Sequence, residues 1–423
     1  MKHDVVVVGA GLSGFMAAKT AAESGLSTVL LGKGMGAIQV FPGGIDLLGY
    51  YPEDAVTPHD DVRLALKRLI QERPDHPYAR VGEQDIERAL QSFCDLFPPD
   101  GYHYTGQWDK NIMLPTAMGT MRPSCLVPST MIAGRKIVSE STLLVGFDEF
   151  VDFFPAYAAR SLNQWGREMG LRARAESIAL SDISQRGDHK AAALAALFED
   201  DAFRNKVASR IDKLKRGERL IGFPAVMGLV HAETVRADLE ASLGAEVFEL
   251  PTLPPSIPGI RLFEMFKGRL RSAGVPVHLG FEVVSAIHKN RRCTGVVLKT
   301  PSGARSFESD WFVLATGGLL GGGLRAESGR IVEPLFGLPV EQPEDRDGRF
   351  REALFPREGH PIHRAGIRTN SRLNPVDDGG RVLVENLFVV GSLLGHHDAW
   401  YEQSGSGVAV TTGFKAIRNL MER

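Results

Sequence analysis

The segment that most restricts the fold lies at the N-terminus: "DVVVVGAGLSGFMAAKTAAESGLSTVLL", residues 4–31. Its run of valines has the unbroken apolar character of a strand buried on both faces. Gly9-x-Gly11-x-x-Gly14 comes next, then an Ala-rich helical stretch to about Ser24 that Gly25 stops, then a second strand from Thr28 to Leu31. In a strand–helix–strand unit, glycines at this spacing form a nucleotide-binding turn. The first permits the sharp bend, the second lets backbone approach a phosphate, and the third allows the helix to pack closely on the strand. The first N–H groups of the helix and its dipole offer partial positive charge to the anion. Leu12 and Ser13 open that helix and belong to the same cradle.

A dinucleotide-binding turn of this type expects a carboxylate at the end of the second strand, where it accepts hydrogen bonds from an adenosine ribose. This chain has Gly32 there. Either the ribose is held from elsewhere or no adenosine is bound. FMN resolves the difficulty, because its single phosphate can sit on the helix N-terminus while the adenosine slot stays unused. FAD is the alternative cofactor.

Two downstream segments extend the pattern. "WFVLATGG", residues 311–318, reads as a buried strand ending in a glycine turn that contains Gly317, and "ENLFVVGSLLG", residues 385–395, reads as another ending at Gly391-Ser392. Ser392 can hydrogen-bond a ribityl hydroxyl, without the charge of the acid common at that place. Either segment alone fits any α/β core strand, but the ordered set of three points to a flavin-binding fold. Near the C-terminus, Gly405, Ser406 and Gly407 precede a small-residue helix. In flavoproteins of this shape that helix aims its N-terminus at the flavin pyrimidine edge, where its dipole stabilises negative charge. "FPGGIDLLG", residues 41–49, resembles the Gly-Gly-Ile loop of succinate dehydrogenase-type flavoproteins, with Gly43 and Gly44 permitting close approach to the ring.

The fold expected is therefore α/β: a Rossmann-like flavin/nucleotide-binding domain of the two-dinucleotide-fold flavoprotein type, made of residues 1–50 and 275–423. Residues 51–274 form an inserted α/β cap domain for substrate or interaction. Within the insertion, amphipathic helices are expected near 60–72 and 83–97, an irregular Pro/Gly/Met-rich stretch at 114–128, then alternating strands and helices through "EVFEL", with a solvated helix pair over 188–216.

Arg122 in "GTMRP", Arg261 in "PGIRL", and His396 and His397 are the catalytic candidates. Arginine grips phosphate bidentately, and a histidine beside a flavin can move a proton during alcohol oxidation. Adjacent histidines point in different directions and no third ligand accompanies them, so no metal site is expected. The net charge of −2 gives no basic field for nucleic acid, and the three cysteines, Cys94, Cys125 and Cys293, are too scattered to ligate an iron–sulfur cluster. No apolar run approaches the roughly 20 residues that span a bilayer, and no secretory signal is visible. A cytoplasmic protein is expected.

Taken together, "VVGAGLSG", "GGIDLLG", "GTMRP", "LPTLPPSIPGIRL", "TGGLLGGGLRAESGRIVEPLFGLPV", "GIRTNSRLNP" and "ENLFVVGSLLGHHD" resemble the family of B subunits of anaerobic glycerol-3-phosphate dehydrogenase along most of the chain. The chain departs from that pattern at Asn370, in "SGSG" and in the His396-His397 pair. The resemblance implies an FMN-containing subunit beside a larger FAD-containing catalytic subunit and a third subunit whose iron–sulfur clusters and docking segment place the complex on the inner face of the cell membrane. It implies oxidation of glycerol 3-phosphate to dihydroxyacetone phosphate in anaerobic respiration, with electrons passed to the quinone pool through a partner. Two other readings stand beside it: a free-standing FAD-dependent oxidoreductase acting on another small acid, and a non-catalytic scaffold with a vestigial flavin site.

Overall fold

The computed structural model describes residues 2–52, 55, 57–181 and 190–422. The chain divides into two compact units. The first comprises Met1–Ala37, Asp46–Leu96 and Glu264–Arg423, and the second comprises Ile38–Ile45 and Phe97–Phe263. The second is thus inserted in the sequence of the first.

The first unit is built on the N-terminal strand β1 (His3–Val8), helix α1 (Leu12–Glu23) and strand β2 (Thr28–Gly32). Three helices follow: α2 (Val62–Glu72), α3 (Pro77–Val81) and α4 (Glu83–Cys94). The carboxylate of Asp61 starts α2 by accepting from Leu64 N at 2.8 Å, which satisfies one of the N–H groups a helix start leaves unpaired. The chain returns to this unit through β3 (Val277–Leu279), β4 (Glu282–Lys289), β5 (Arg292–Thr300) and β6 (Gly303–Leu314). It closes with β7 (Leu387–Val389) and helix α5 (Gly405–Met421).

The sheet runs β3–β2–β1–β6–β5–β4, with β7 also paired to β6. β3, β2, β1, β6 and β7 are mutually parallel, in register Leu279↔Gly32, Val8↔Leu31, Val8↔Leu314 and Leu314↔Val389. The long β6 serves two partners. Its first half pairs antiparallel with β5, Thr300 opposite Gly303, and its second half joins β1 and β7. Val5 to Val8 are buried, as a strand flanked on both sides requires. α1 and α5 cross with backbones almost touching: a Cβ added at Gly413 would lie 2.3 Å from Ser13 O. Phe15 on α1 stacks on Phe266 at 5.2 Å.

The second unit has its own four-stranded parallel sheet, in the order Glu246–Leu250, Leu220–Pro224, Thr142–Phe147, Ala173–Ile178. Helices Pro155–Trp165, Asp201–Asp212 and Ala232–Leu243 accompany it. Helices Ala191–Leu197 and Asp201–Asp212 take the places of the expected helix pair; residues 188 and 189 of that stretch lie outside the described residues. The stretch 114–128 is more regular than expected. Ile112–Pro115 and Met121–Ser124 form a hairpin, and Leu126–Pro128 pairs with Tyr104–Gly106. The sequence hides this because the hairpin strands are only four residues long and carry prolines.

Candidate functional site

The glycine turn after β1 shows which of its residues the protein's own packing demands. Gly9 has φ +117°, and a Cβ there would sit 2.1 Å from Ala315 O at the end of β6. At Gly14 a Cβ would sit 1.9 Å from Gly9 O. Gly11 differs. It is the N-cap of α1 at φ −85°, and a Cβ would meet nothing within 4 Å. No side chain caps this helix start and no acid stands in its first turn. Free space around the Gly11 position and N–H groups without a side-chain cap suit an anion at a helix N-terminus.

The ends of β6 and β7 meet beside this turn. Gly318 N donates to Ser392 Oγ at 3.0 Å, and Gly391 N donates to Thr412 Oγ1 on α5 at 2.9 Å. A Cβ at Gly391 would lie 2.5 Å from Ser13 Oγ, so the loop after β7 abuts the first turn of α1. Thr316 Oγ1 is buried and has no hydrogen-bond partner among the described residues. The structure thus brings Gly9, Gly11, Leu12, Ser13, Gly14, Gly317, Gly391 and Ser392 to the carboxyl ends of parallel strands, where open α/β sheets bind ligands.

Gly32 does more than lack a carboxylate. A Cβ at this position would lie 2.6 Å from Ala10 Cβ and 3.2 Å from Leu279 Cδ2. The end of β2 is closed down on the turn, so no side chain reaches toward a ribose from here on this backbone. The cradle fits a phosphate; the usual adenosine hook has neither its oxygen nor its space.

The start of α5 is tied to the segment after residue 45. Asp46 N donates to Ser406 Oγ at 2.8 Å and Gly407 N donates to Asp46 O at 3.0 Å. Tyr78 OH bridges Leu47 O at 2.5 Å and Ser404 O at 3.2 Å. Gly405 and Ser406 remain half-buried at the helix mouth, where the first turn carries no acid.

Just before α5 lies a buried ionic hub centred on Glu402, whose side chain has no exposure. Oε2 accepts from His76 Nε2 at 3.1 Å and from Ser404 Oγ at 2.9 Å. Oε1 takes Asp398 N at 3.1 Å and Arg73 Nη1 at 3.3 Å. Tyr78 N donates to His76 Nδ1 at 3.1 Å, which puts the ring proton on Nε2, facing the carboxylate. Burial alone would raise the Glu402 pKa. The electrostatic attraction and hydrogen bond of His76, helped by His397 and Asp398 N, outweigh it and pull the group down to about 2.

The two histidines singled out in the sequence sit in different surroundings. His397 is buried, its ring 6.0 Å from that of His76. Burial lowers its pKa to about 4 against the opposing pull of Glu402, which makes it a neutral interior imidazole. His396 is half-buried at φ +68° with Nε2 against the Glu341 carboxylate.

The neighbouring Asp398 engages a histidine that sequence reasoning passed over. His363 Nδ1 lies 3.0 Å from Asp398 Oδ2, while Oδ1 accepts from Trp400 N and Tyr401 N at 3.2 Å each. Asp398 is fully buried and His363 is 25% exposed. The signal available was "GHPIHRAG", two histidines around a proline, which has no distinctive spacing.

The remaining candidates belong to the second unit. Arg261 is 3% exposed. Its Nη1 and Nη2 hold Glu249 at 2.6 and 2.8 Å, Nε and Nη2 hold Gly228 O at 2.9 and 2.7 Å, and the cation stands over the Tyr102 ring. Expected to grip a substrate, Arg261 is instead an internal counterion, because its fork is already engaged by protein. Arg122 is half-buried, opposite Leu114 in the hairpin. Gly43 and Gly44 are buried, and at Gly43 a Cβ would lie 2.9 Å from the Met131 Sδ and Cε atoms, so packing within this unit accounts for that glycine.

Comparison with known proteins yields a family and full-length relatives. The family profile described as "FAD binding domain" matches residues 4–408. A probable B subunit of anaerobic glycerol-3-phosphate dehydrogenase from Halobacterium salinarum is 33% identical over 437 residues, covering 98% of this chain and 97% of the relative. The B subunit of anaerobic glycerol-3-phosphate dehydrogenase from Aliivibrio fischeri is 28% identical, covering 100% of this chain and 96% of the relative. Among solved structures, the open conformation of a flavocytochrome c3 fumarate reductase aligns at 11% identity and TM-score 0.47, covering 100% of this chain and 78% of the other. A 3-ketosteroid delta1-dehydrogenase from Sterolibacterium denitrificans aligns at 12% identity and TM-score 0.44, covering 100% of both chains.

Proposed function

The chain belongs to the FAD-binding-domain family and to the anaerobic glycerol-3-phosphate dehydrogenase B subunits, and from that premise we propose that it is the flavin-holding B subunit of a complex oxidising sn-glycerol 3-phosphate to dihydroxyacetone phosphate. The observation that carries the flavin part is the open helix mouth at Gly11, together with a Thr316 hydroxyl after β6 that is buried and has no hydrogen-bond partner among the described residues. Gly9, Gly11, Leu12, Ser13 and Gly14 would hold the phosphate, Gly317, Gly391 and Ser392 the ribityl chain, and Gly405 to Gly407 the pyrimidine edge. A bound flavin supplies two-electron acceptance from the alcohol carbon. The chain's own residues position substrate, exclude water and carry the hydroxyl proton.

FMN is the cofactor we favour, because Gly32 packs on Ala10 and offers no ribose acceptor. FAD, which the family's description names, is the alternative. The remaining partners in this reading are an FAD-containing catalytic subunit, with which this chain shares the oxidation, and an iron–sulfur subunit that docks the assembly on the membrane and passes electrons to quinone. No helix among the described residues is long and apolar enough to cross a membrane, which is consistent with attachment through a partner.

Acid release of the cofactor from purified protein, followed by chromatography, tests the assignment. About one FMN per chain is expected. Stoichiometric FAD would replace FMN and favour a free-standing FAD enzyme, and a colourless protein that takes up no flavin on reconstitution would favour the scaffold reading.

A further inference from the structure

We infer that His363 is the base that takes the hydroxyl proton of the alcohol substrate, with Asp398 orienting it; this rests on the dehydrogenase reading above. Around the C-terminal segment of the first unit the histidines divide by what their nitrogens already do. His76 has Nε2 on Glu402 and Nδ1 on Tyr78 N. His360 has Nδ1 on Arg351 N and Nε2 on Leu354 O. His397 is buried, and His396 has its Nε2 against Glu341. His363 alone pairs one nitrogen with a buried carboxylate and leaves the other, Nε2, without a protein partner among the described residues on a partly exposed ring.

The chemistry of that pair is directional. An ionised carboxylate only accepts, so the proton between the two groups sits on Nδ1, and the lone pair is on Nε2. Asp398 cannot turn away, because its second oxygen is fixed by two backbone N–H groups. The chain also passes the pair too closely for any side chain. Gly359 has φ +70°, and a Cβ there would lie 2.4 Å from Asp398 Oδ2. The ring stacks on Tyr401 at 6.1 Å and meets His360 edge-on at 5.3 Å. Asp398 lies on the segment that follows Ser392. Gly395 N donates to Ile367 O at 3.2 Å and His396 N to Arg364 O at 3.0 Å, fastening the His363 segment to the loop after β7.

In the step assigned, the O–H bond breaks and its proton passes to His363 Nε2. The electron pair of the C–H bond on the same carbon would be taken up as hydride by a bound flavin, the two-electron oxidant that Gly11, Gly317, Gly391 and Ser392 would hold. The C=O bond of the ketone forms between the two. Asp398 stabilises the imidazolium until its proton returns to solvent over the exposed ring edge.

The test uses the assembled complex with flavin content measured first. His363→Ala is expected to keep its flavin and to lose about 10²–10⁴-fold in kcat/KM, the span of general-base contributions. Added imidazole should restore part of that loss, which a merely structural role would not allow. Asp398→Asn, which keeps the shape, should retain flavin and displace the ascending limb of the pH profile; the titratable neighbours at that ring are Asp398, Tyr401 and His360, with Glu358 acting on Tyr401. Independently of turnover, diethyl pyrocarbonate should label His363 in the wild-type complex, and glycerol 3-phosphate should protect it, as read by peptide mass spectrometry. If His363→Ala does not fold, the Asp398→Asn profile and the labelling decide the matter. Wild-type kcat/KM in His363→Ala, an unmoved pH limb in Asp398→Asn, or labelling that substrate does not alter would each overturn the assignment of the base. Failure of the wild-type complex to bind flavin or to oxidise glycerol 3-phosphate would instead overturn the parent reading.

Discussion

At Gly11 a glycine stands where the fold does not ask for one. Its φ of −85° suits any residue, and a Cβ has free space around it. Gly11→Glu should therefore unfold within about 0.5 kcal/mol of wild type, as surface changes usually do, while its carboxylate repels the anion from the helix mouth. Thermal melting and the visible flavin band check the two halves, and a folded variant with full flavin would refute the cradle. Gly9 is the opposite case, since its φ and its contact with Ala315 O serve the fold itself. The sequence pattern names both glycines without telling them apart; only the neighbouring β6, some three hundred residues away, reveals which is structural. The same long-range dependence explains the histidines. In "GHHD", His397 is buried, and the residue Asp398 engages is His363, at a distance in sequence that no local spacing encodes.

At the scale of elements, the hub that secures the start of α5 should make the fold sensitive to acid. The His397 pKa falls from 6.5 to about 4 on folding, through burial first. A histidine depressed in this way binds fewer protons folded than unfolded between those values. Its contribution is thus complete above pH 6.5 and is lost as the pH falls toward 4. Between pH 7 and pH 5 the loss is about 2 kcal/mol. Glu402, lowered from 4.5 to about 2, adds a second loss with the same sign at lower pH. Urea denaturation at pH 7 and pH 5 should show the first effect, and His397→Gln should flatten that slope; an equally steep slope in the variant would exclude His397 as its source. Elements themselves were the most readable level. The apolar β1, the helices Val62–Glu72 and Glu83–Cys94 and the strand Glu246–Leu250 all follow from local periodicity. The hub was not readable, because Arg73, His76 and Glu402 are drawn from opposite ends of the sequence by packing alone.

Across the whole molecule, each unit carries its own buried charge centre: Glu402 with His76 and Arg73 in the first, and Arg261 with Glu249 in the second. Arg261→Ala would strand the Glu249 carboxylate, which is 1% exposed, and should cost about 3–5 kcal/mol. Urea titration followed by tryptophan fluorescence would read that loss; unchanged stability with weakened substrate binding would return Arg261 to the role its sequence suggested. The choice of cofactor has a comparable two-body character. Because a Cβ at Gly32 would sit 2.6 Å from that of Ala10, an acid introduced at 32 alone forces the turn apart, and trimming Ala10 alone merely leaves a gap. A descendant that came to hold an adenosine in the usual way would have to acquire both changes together, so each position shields the other from gradual drift.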